Sequence, residues 1–233
     1  MTDDDIVALN RLTLVARLLA GTAHDVNNAL MIISGSAELL AGLHELNDPA
    51  RRAVDRIQTH ASRAAGAIHD LMQFARDRGE ARGRVALRDV AARSVQMRGF
   101  AARRAGLQVV FDAATAPPAL VHGSSTYLQQ AVLNLMINAE QALHGIDGAT
   151  ITVELEETAD AAVLRIVDNG RGVDSAIADR VFDPFVTSRA VADATGLGLP
   201  AARMIARAHG GEVTLDARSP GCCARLSIPR AAG

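Results

Sequence analysis

From Leu9 to Leu40 apolar residues return in alternating three- and four-residue steps: Leu9, Leu12, Ala16, Leu19, Ala23, Val26, Leu30, Ile33, Ala37 and Leu40. An α-helix gathers such positions onto one side, as a heptad-like seam. The spacing predicts a helix from Ile6 to about Leu43, and the acidic run Asp3-Asp4-Asp5 suits the positive end of its dipole. Asn47-Asp48-Pro49 is a break and a restart, with Asp48 as N-cap and Pro49 at the first helical position. A second seam follows through Val54, Ile57, Ala61, Ala64, Ile68, Leu71 and Ala75. Two such helices joined by a short turn make an antiparallel hairpin. Alone it leaves much apolar surface in water, and pairing two copies into a four-helix bundle covers that surface. Dimerisation is therefore a physical expectation.

The texture changes after Asp77-Arg78-Gly79-Glu80-Ala81-Arg82-Gly83-Arg84, a charged, glycine-containing run without periodicity that reads as a linker. Domains are expected at residues 1–77 and 84–233. In the second, helical patterns at about Leu87 to Arg104, Ser125 to Leu143 and Leu199 to His209 are interspersed with strand patterns. The strands are expected at Leu107 to Phe111, Ala119 to Val121, Thr150 to Glu156, Ala162 to Val167, Glu212 to Asp216 and Cys223 to Ile228. That order predicts an α+β chain: the helical hairpin, then an α/β sandwich with one sheet and helices on one face.

Bulk properties narrow the function. A formal charge of −2 over 233 residues gives no basic field for nucleic acid. No stretch approaches the roughly 20 apolar residues that span a bilayer. The acidic start is unlike a signal peptide, so a cytoplasmic protein is expected. Aromatic content is only 3%, which leaves the core to Ala, Leu, Val and Ile. Cys222 and Cys223 are adjacent in a strand-like run, where bridging them would strain the backbone. They read as packing residues.

His24-Asp25-Val26-Asn27-Asn28 lies within the first helix. At about 100° per residue, His24 is roughly 160° from Val26 and roughly 180° from Ile33, facing away from the seam. Asn28, one turn on, shares that outward face. A solvated imidazole titrates near pH ~6.5, so much of it is neutral and nucleophilic at neutral pH. Asp25, if it reaches the ring from the side, can accept the proton of one ring nitrogen and sharpen the other. By itself this pattern is more often an exposed histidine beside a helical acid than a catalytic one.

Four blocks in the second half point to a nucleotide. Asn134 and Asn138, in Asn-Leu-Met-Ile-Asn-Ala, are one helical turn apart, and amide oxygens there suit a hard cation such as Mg2+ that also holds phosphate. Glu140 is near but on another face. Asp168-Asn169-Gly170-Arg171-Gly172 ends a strand; its carboxylate can accept from an adenine amino group, and its glycines admit a base close to the backbone. Phe182-Asp183-Pro184-Phe185 precedes a polar segment, Thr187 to Thr195, that reads as a lid, with Arg189 able to reach a terminal phosphate. Thr195-Gly196-Leu197-Gly198 opens a helix whose exposed amides favour phosphate, with Pro200 in the first turn.

Taken together the blocks resemble the N, G1, F and G2 boxes of the Bergerat-type ATP-binding fold, and His24 resembles the H box of a dimerising phosphoacceptor domain. The chain is thus similar, from about Val15 to Arg230, to the catalytic core of a two-component sensor histidine kinase. The resemblance implies ATP and Mg2+ as cofactors, with Asn138 as metal ligand, and Asn134, Asp168, Gly170, Gly172, Arg189, Thr195, Gly196, Leu197 and Gly198 around the nucleotide. It implies His24 as phosphoacceptor, assisted by Asp25, a homodimer, and a response-regulator receiver domain as partner. Asn28 matches a position that orients water for dephosphorylating that regulator. Ala29 stands where many H boxes have Pro, Ala194 replaces the usual first lid glycine, and Gln141 and Arg189 stand where Lys is often found. With no input domain ahead of the helix, the signal is expected from a separate sensor protein or from further chain.

The leading expectation is an ATP-dependent protein-histidine kinase. The alternatives are a histidine phosphotransfer protein with a degenerate ATP site, and a serine kinase or other ATPase of the same fold for which His24 is incidental.

Overall fold

The computed structural model describes residues 2, 5–10, 13–14, 32–33, 81–187 and 196–231. The chain divides into two compact units, Val15–Asp77 and Met1–Leu14 with Arg78–Gly233. Of the expected hairpin only residues 5–10, 13–14 and 32–33 are described, all of them helical; His24, Asp25 and Asn28 lie outside the described residues, as do Arg189 and Thr195.

The larger unit contains strand β1 (Gly83–Ala86), helix α1 (Leu87–Arg104), β2 (Gln108–Val110), β3 (Leu120–Gly123) and helix α2 (Ser125–Ala142). Then come β4 (Thr150–Glu157), β5 (Ala161–Asp168), a single 3-10 turn at Ala178–Arg180, helix α3 (Gly198–Ala208), β6 (Glu212–Ala217) and β7 (Cys222–Pro229). Five strands form one mixed sheet in the order β2-β4-β5-β7-β6. Only β2 and β4 run parallel; the other pairs are antiparallel.

Alternation along the strands builds the two faces. Val153 is opposite Ile166, Leu155 opposite Leu164, and Leu164 in turn opposite Leu226. These join Ile151, Ile228 and Val213 in a core with Leu128, Val132, Leu135 and Met136 of α2 and Ala202 and Ile205 of α3. The intervening residues make a polar face on which Arg165 pairs with Glu156 and Arg225 with Asp216. One face covered by helices and one solvated is the ordinary solution for a largely antiparallel sheet.

Two features depart from the sequence reading. The charged run is not linker to its end: Gly83 and Arg84 start β1, which pairs antiparallel with β3 as a separate two-stranded sheet. The 3-10 turn at Ala178–Arg180 carries no hydrophobic period and gives no sequence signal. Among the described residues, no helix is long and apolar enough to cross a membrane.

Candidate functional site

The site is assembled around α2. Ser124 caps this helix, its Oγ accepting the Tyr127 amide at 3.3 Å. Apolar residues on most sides of α2 bury it, and a polar row at four-residue spacing, Gln130, Asn134 and Asn138, runs along one side. Gln130 and Asn134 are buried and Asn138 is half-buried. Glu140 is drawn elsewhere: it accepts from Nε of Arg98 at 3.0 Å, tying α2 to α1.

Asp168 lies at the end of β5, opposite Ile151 on β4 and Cys222 on β7, and is only 5% exposed. Its Oδ1 accepts the Gly170 amide at 2.9 Å. Gly170 is where this turn meets α2: a Cβ there would lie 2.7 Å from the Ala142 carbonyl oxygen. Asn169 points to another task, accepting from the Thr150 amide at 2.8 Å and donating to the Gly148 carbonyl at 3.0 Å. It thereby fixes the start of β4. Gly172 adopts a left-handed conformation against Gly221, and a side chain on Gly221 would overlap the Asp168 carbonyl.

Two further blocks meet directly. Phe185 has φ 67°, an uncommon conformation for an aromatic residue, and its amide donates to the Gly196 carbonyl at 2.9 Å. A Cβ on Gly196 would stand 2.5 Å from the Phe185 backbone, so the glycine is required by contact as well as by its φ of 65°. Phe182 packs against the core, with the Arg203 guanidinium 4.5 Å over its ring. Phe185, in contrast, is 57% exposed. Gly198 faces α2, a Cβ there lying 3.5 Å from Oδ1 of Asn134. No side chain caps α3, whose N-cap is Leu197, so its first amides remain donors for an anion.

The structure thus brings Asn134 to Gly198, Gly196 to Phe185, and Asp168, Gly170 and Gly172 to the far end of α2. Among the described residues, no three His, Cys, Asp or Glu side chains cluster to hold a metal. A cation here would be held by amide oxygen, phosphate and water, a donor set that fits Mg2+.

Sequence reasoning missed three residues. Gln130 continues the Asn134–Asn138 row one turn earlier, and that spacing was the available signal. Cys222 sits beside Asp168; burial first, then the Asp168 charge, push its thiol up to about 12. His209 closes the α3 end against the start of α2, and nothing near it in sequence announces the contact.

A sheet with one helix-covered face, an asparagine-bearing helix and a glycine-opened helix beside a strand-end aspartate defines a nucleotide-binding ATPase fold. Residues 123–232 match the family described as histidine kinase-, DNA gyrase B- and HSP90-like ATPase. Residues 14–80 match the His Kinase A (phospho-acceptor) domain, which gives that stretch the helical-hairpin architecture its seams predict. With both domains in this order, the chain belongs to the two-component sensor histidine kinases and holds their catalytic core.

The C4-dicarboxylate transport sensor protein DctB of Rhizobium meliloti (strain 1021) is 27% identical over 230 residues, covering 97% of this chain and 36% of the relative. The sensor histidine kinase ZraS of Klebsiella oxytoca is 31% identical over 212 residues, covering 90% of this chain and 44% of the relative. The chain therefore spans less than half the length of these relatives. The solved mycobacterial sensor histidine kinase MprB superposes with a TM-score of 0.53 at 28% identity, over 65% of this chain and all of that one.

Proposed function

We propose that this chain is an ATP-dependent protein-histidine kinase that phosphorylates itself on His24 and passes the phosphoryl group to an aspartate of a response-regulator receiver domain. The observation that carries the reading is the spatial union of the blocks. Asn134 meets the start of α3 midway along α2, Asn138 follows one turn on, and Asp168 with its glycine turn gathers at the C-terminal end of the helix. That arrangement suits a ligand with a polyphosphate at one end and an amino-bearing base at the other.

In this reading Asp168 accepts from the adenine amino group, with Gly170 and Gly172 giving the base room. Gly196, Leu197 and Gly198 present backbone amides to the phosphates, and Thr195 and Arg189 act from the lid. Asn138, seconded by Asn134, would hold Mg2+, which when bound neutralises phosphate charge. The neutral ring nitrogen of His24 attacks the γ-phosphorus while the bond to the bridging oxygen breaks and ADP leaves. Asp25 takes or holds the proton on the other ring nitrogen. Asn28 is placed to orient water for the reverse duty, hydrolysis of the phosphorylated regulator. The reading assigns residues 1–77 to a dimerising phosphoacceptor hairpin and residues 84–233 to the ATP-binding domain, working as a cytoplasmic homodimer under a separate sensor.

The test is incubation with γ-labelled ATP and Mg2+, comparing the parent with His24→Ala. Acid-labile label lost in the variant supports the kinase. Failure of the parent to bind ATP overturns it in favour of a phosphotransfer protein.

A further inference from the structure

The row of amides on α2 is not open at its buried end. Residues 5–10, 13 and 14 are helical, and this stretch belongs to the same compact unit as the ATP-binding domain. Its start is well defined: the Thr2 amide donates to Asp5 Oδ2 at 2.8 Å, and the Asp5 amide to Thr2 Oγ1 at 3.2 Å. This is a reciprocal capping arrangement. Ile6 and Leu14 are buried, and Val7 packs against the domain core.

Asn10, 2% exposed, meets the α2 row directly. Its Nδ2 donates to Oδ1 of Asn134 at 3.0 Å, and its Oδ1 accepts from Nδ2 of Asn134 at 2.8 Å. Gln130 Nε2 donates to the same Asn10 oxygen at 2.9 Å and to the Val7 carbonyl at 3.0 Å. The Asn134 amide, oxygen and nitrogen alike, is engaged by the N-terminal helix. Neither matched family region reaches Asn10, since the phosphoacceptor match begins at residue 14 and the ATPase match at 123.

We propose that residues 5–10 form an intramolecular plug that occupies the phosphate and Mg2+ end of the nucleotide site, so that Mg-ATP binding requires the helix to leave. The proposal rests on the assignment of Asn134 to that site. Reciprocal amide bonds to Asn10 and service to a cation and phosphate compete for the same carboxamide.

The plug is built to be released. Gln130 is fully buried, yet its Oε1 has no hydrogen-bond partner. Turning the amide over would face its oxygen toward the Val7 carbonyl and the Asn10 oxygen, two acceptors, so the orphan belongs to the docked arrangement. Undocking exposes that oxygen to water and relieves the penalty. Covalent attachment keeps the helix at high local concentration, which maintains docking despite the flaw. Apparent affinity for Mg-ATP then scales with the fraction of molecules whose plug is out.

The experiment is titration calorimetry on the full chain with Mg-ATP and, separately, with adenosine. The parent is compared with Asn10→Ala, which removes the engaging amide, and Ile6→Asp, which expels the helix by burying a charge. Loss of a few hydrogen bonds of ordinary strength should tighten Mg-ATP roughly tenfold in each variant and leave adenosine binding unchanged. Hydrogen exchange over residues 5–10 should be slow in the parent and accelerate on adding Mg-ATP. Equal or weaker Mg-ATP binding in both variants overturns the plug while leaving the nucleotide site intact. No Mg-ATP binding by the parent or either variant overturns the site assignment, and the plug with it.

Discussion

The imidazole of His209, at the end of α3, accepts the Ser124 amide on Nε2 at 3.1 Å, across 85 residues of sequence. Its Nδ1 lies 2.7 Å from the Ile205 carbonyl, which can only accept. The partners therefore select the neutral ring with its proton on Nδ1. The ring also fills the space where a Cβ on Gly123 would stand. Through this one side chain the C-terminus of α3 is fastened to the N-cap of α2.

A pH dependence follows. Burial holds His209 below its ordinary range; the Ile205 bond opposes this, and the Arg82 and His122 charges reinforce it. The unfolded chain thus takes up the proton at higher pH than the folded one. The stability contributed by the neutral ring is fully present above the unfolded value of about 6.5 and is lost as pH falls through the folded value. Urea unfolding at pH 7.5 and pH 5 should show this loss, and His209→Gln, which does not titrate, should lessen it. An identical pH slope in the variant would assign the acid sensitivity to other groups.

Asp168→Asn preserves shape and can still accept from Gly170, but it withdraws the charge offered to a base. Charge-assisted bonds of this kind contribute about 1.5–3 kcal/mol, so ATP affinity should fall roughly tenfold to a hundredfold. The thermal midpoint should move little. Calorimetry showing unchanged affinity would remove Asp168 from the base-binding role.

Two glycines of nearly equal φ separate strain from crowding. Gly148, at 64°, has open space where a Cβ would stand, with nothing within 4 Å, whereas Gly196, at 65°, abuts the Phe185 backbone. Gly148→Ala should cost about 1 kcal/mol in stability and leave ATP binding as in the parent. Gly196→Ala must also displace Phe185 or break its bond to the Gly196 carbonyl, and should weaken ATP at least tenfold. Equal effects in denaturation and binding assays would show that the Phe185 contact has no functional weight.

The adjacent cysteines should be inert. Cys222 faces the Asp168 side of the sheet and Cys223, paired with Val167, the other, so their sulfurs diverge. Both are buried, and burial is the leading cause that raises each thiol. Iodoacetamide at pH 8 should label neither in the folded protein and both in guanidinium. Rapid labelling of the native protein would contradict the buried placement.

Much of this fold was legible in the sequence, because α1, α2, β4, β5 and β7 carry unmistakable periods and their ends fall within a residue or two of expectation. Strand β1 was illegible: Gly83-Arg84-Val85-Ala86 is short and half exposed, and becomes a strand only because β3 offers it a partner. The site was legible to the extent that it is local. Asn134 and Asn138, or Asp168 and Gly170, are near neighbours in the chain and announce one another. The Asn10–Asn134 and His209–Ser124 contacts are not, since the residues that give each side chain its meaning are 124 and 85 positions away.

Helix α2 begins its polar row at Gln130, passes Asn134 and Asn138, and ends at Ala142 against Gly170, beside Asp168. At about 1.5 Å of rise and 100° of turn per residue, the level of Asn134 is set about 12 Å from that of Ala142. Length and bearing are thereby locked together. One inserted residue would change the span by only about 1.5 Å but would swing the asparagines about 100° off their face. Restoring the bearing takes nearly a whole turn, which changes the span by about 5 Å. The gap between the two ends of the site is in effect quantised, a ruler that is also a protractor. Adapting this scaffold to a longer or shorter ligand by small steps is therefore a task for its loops, which carry no such phase.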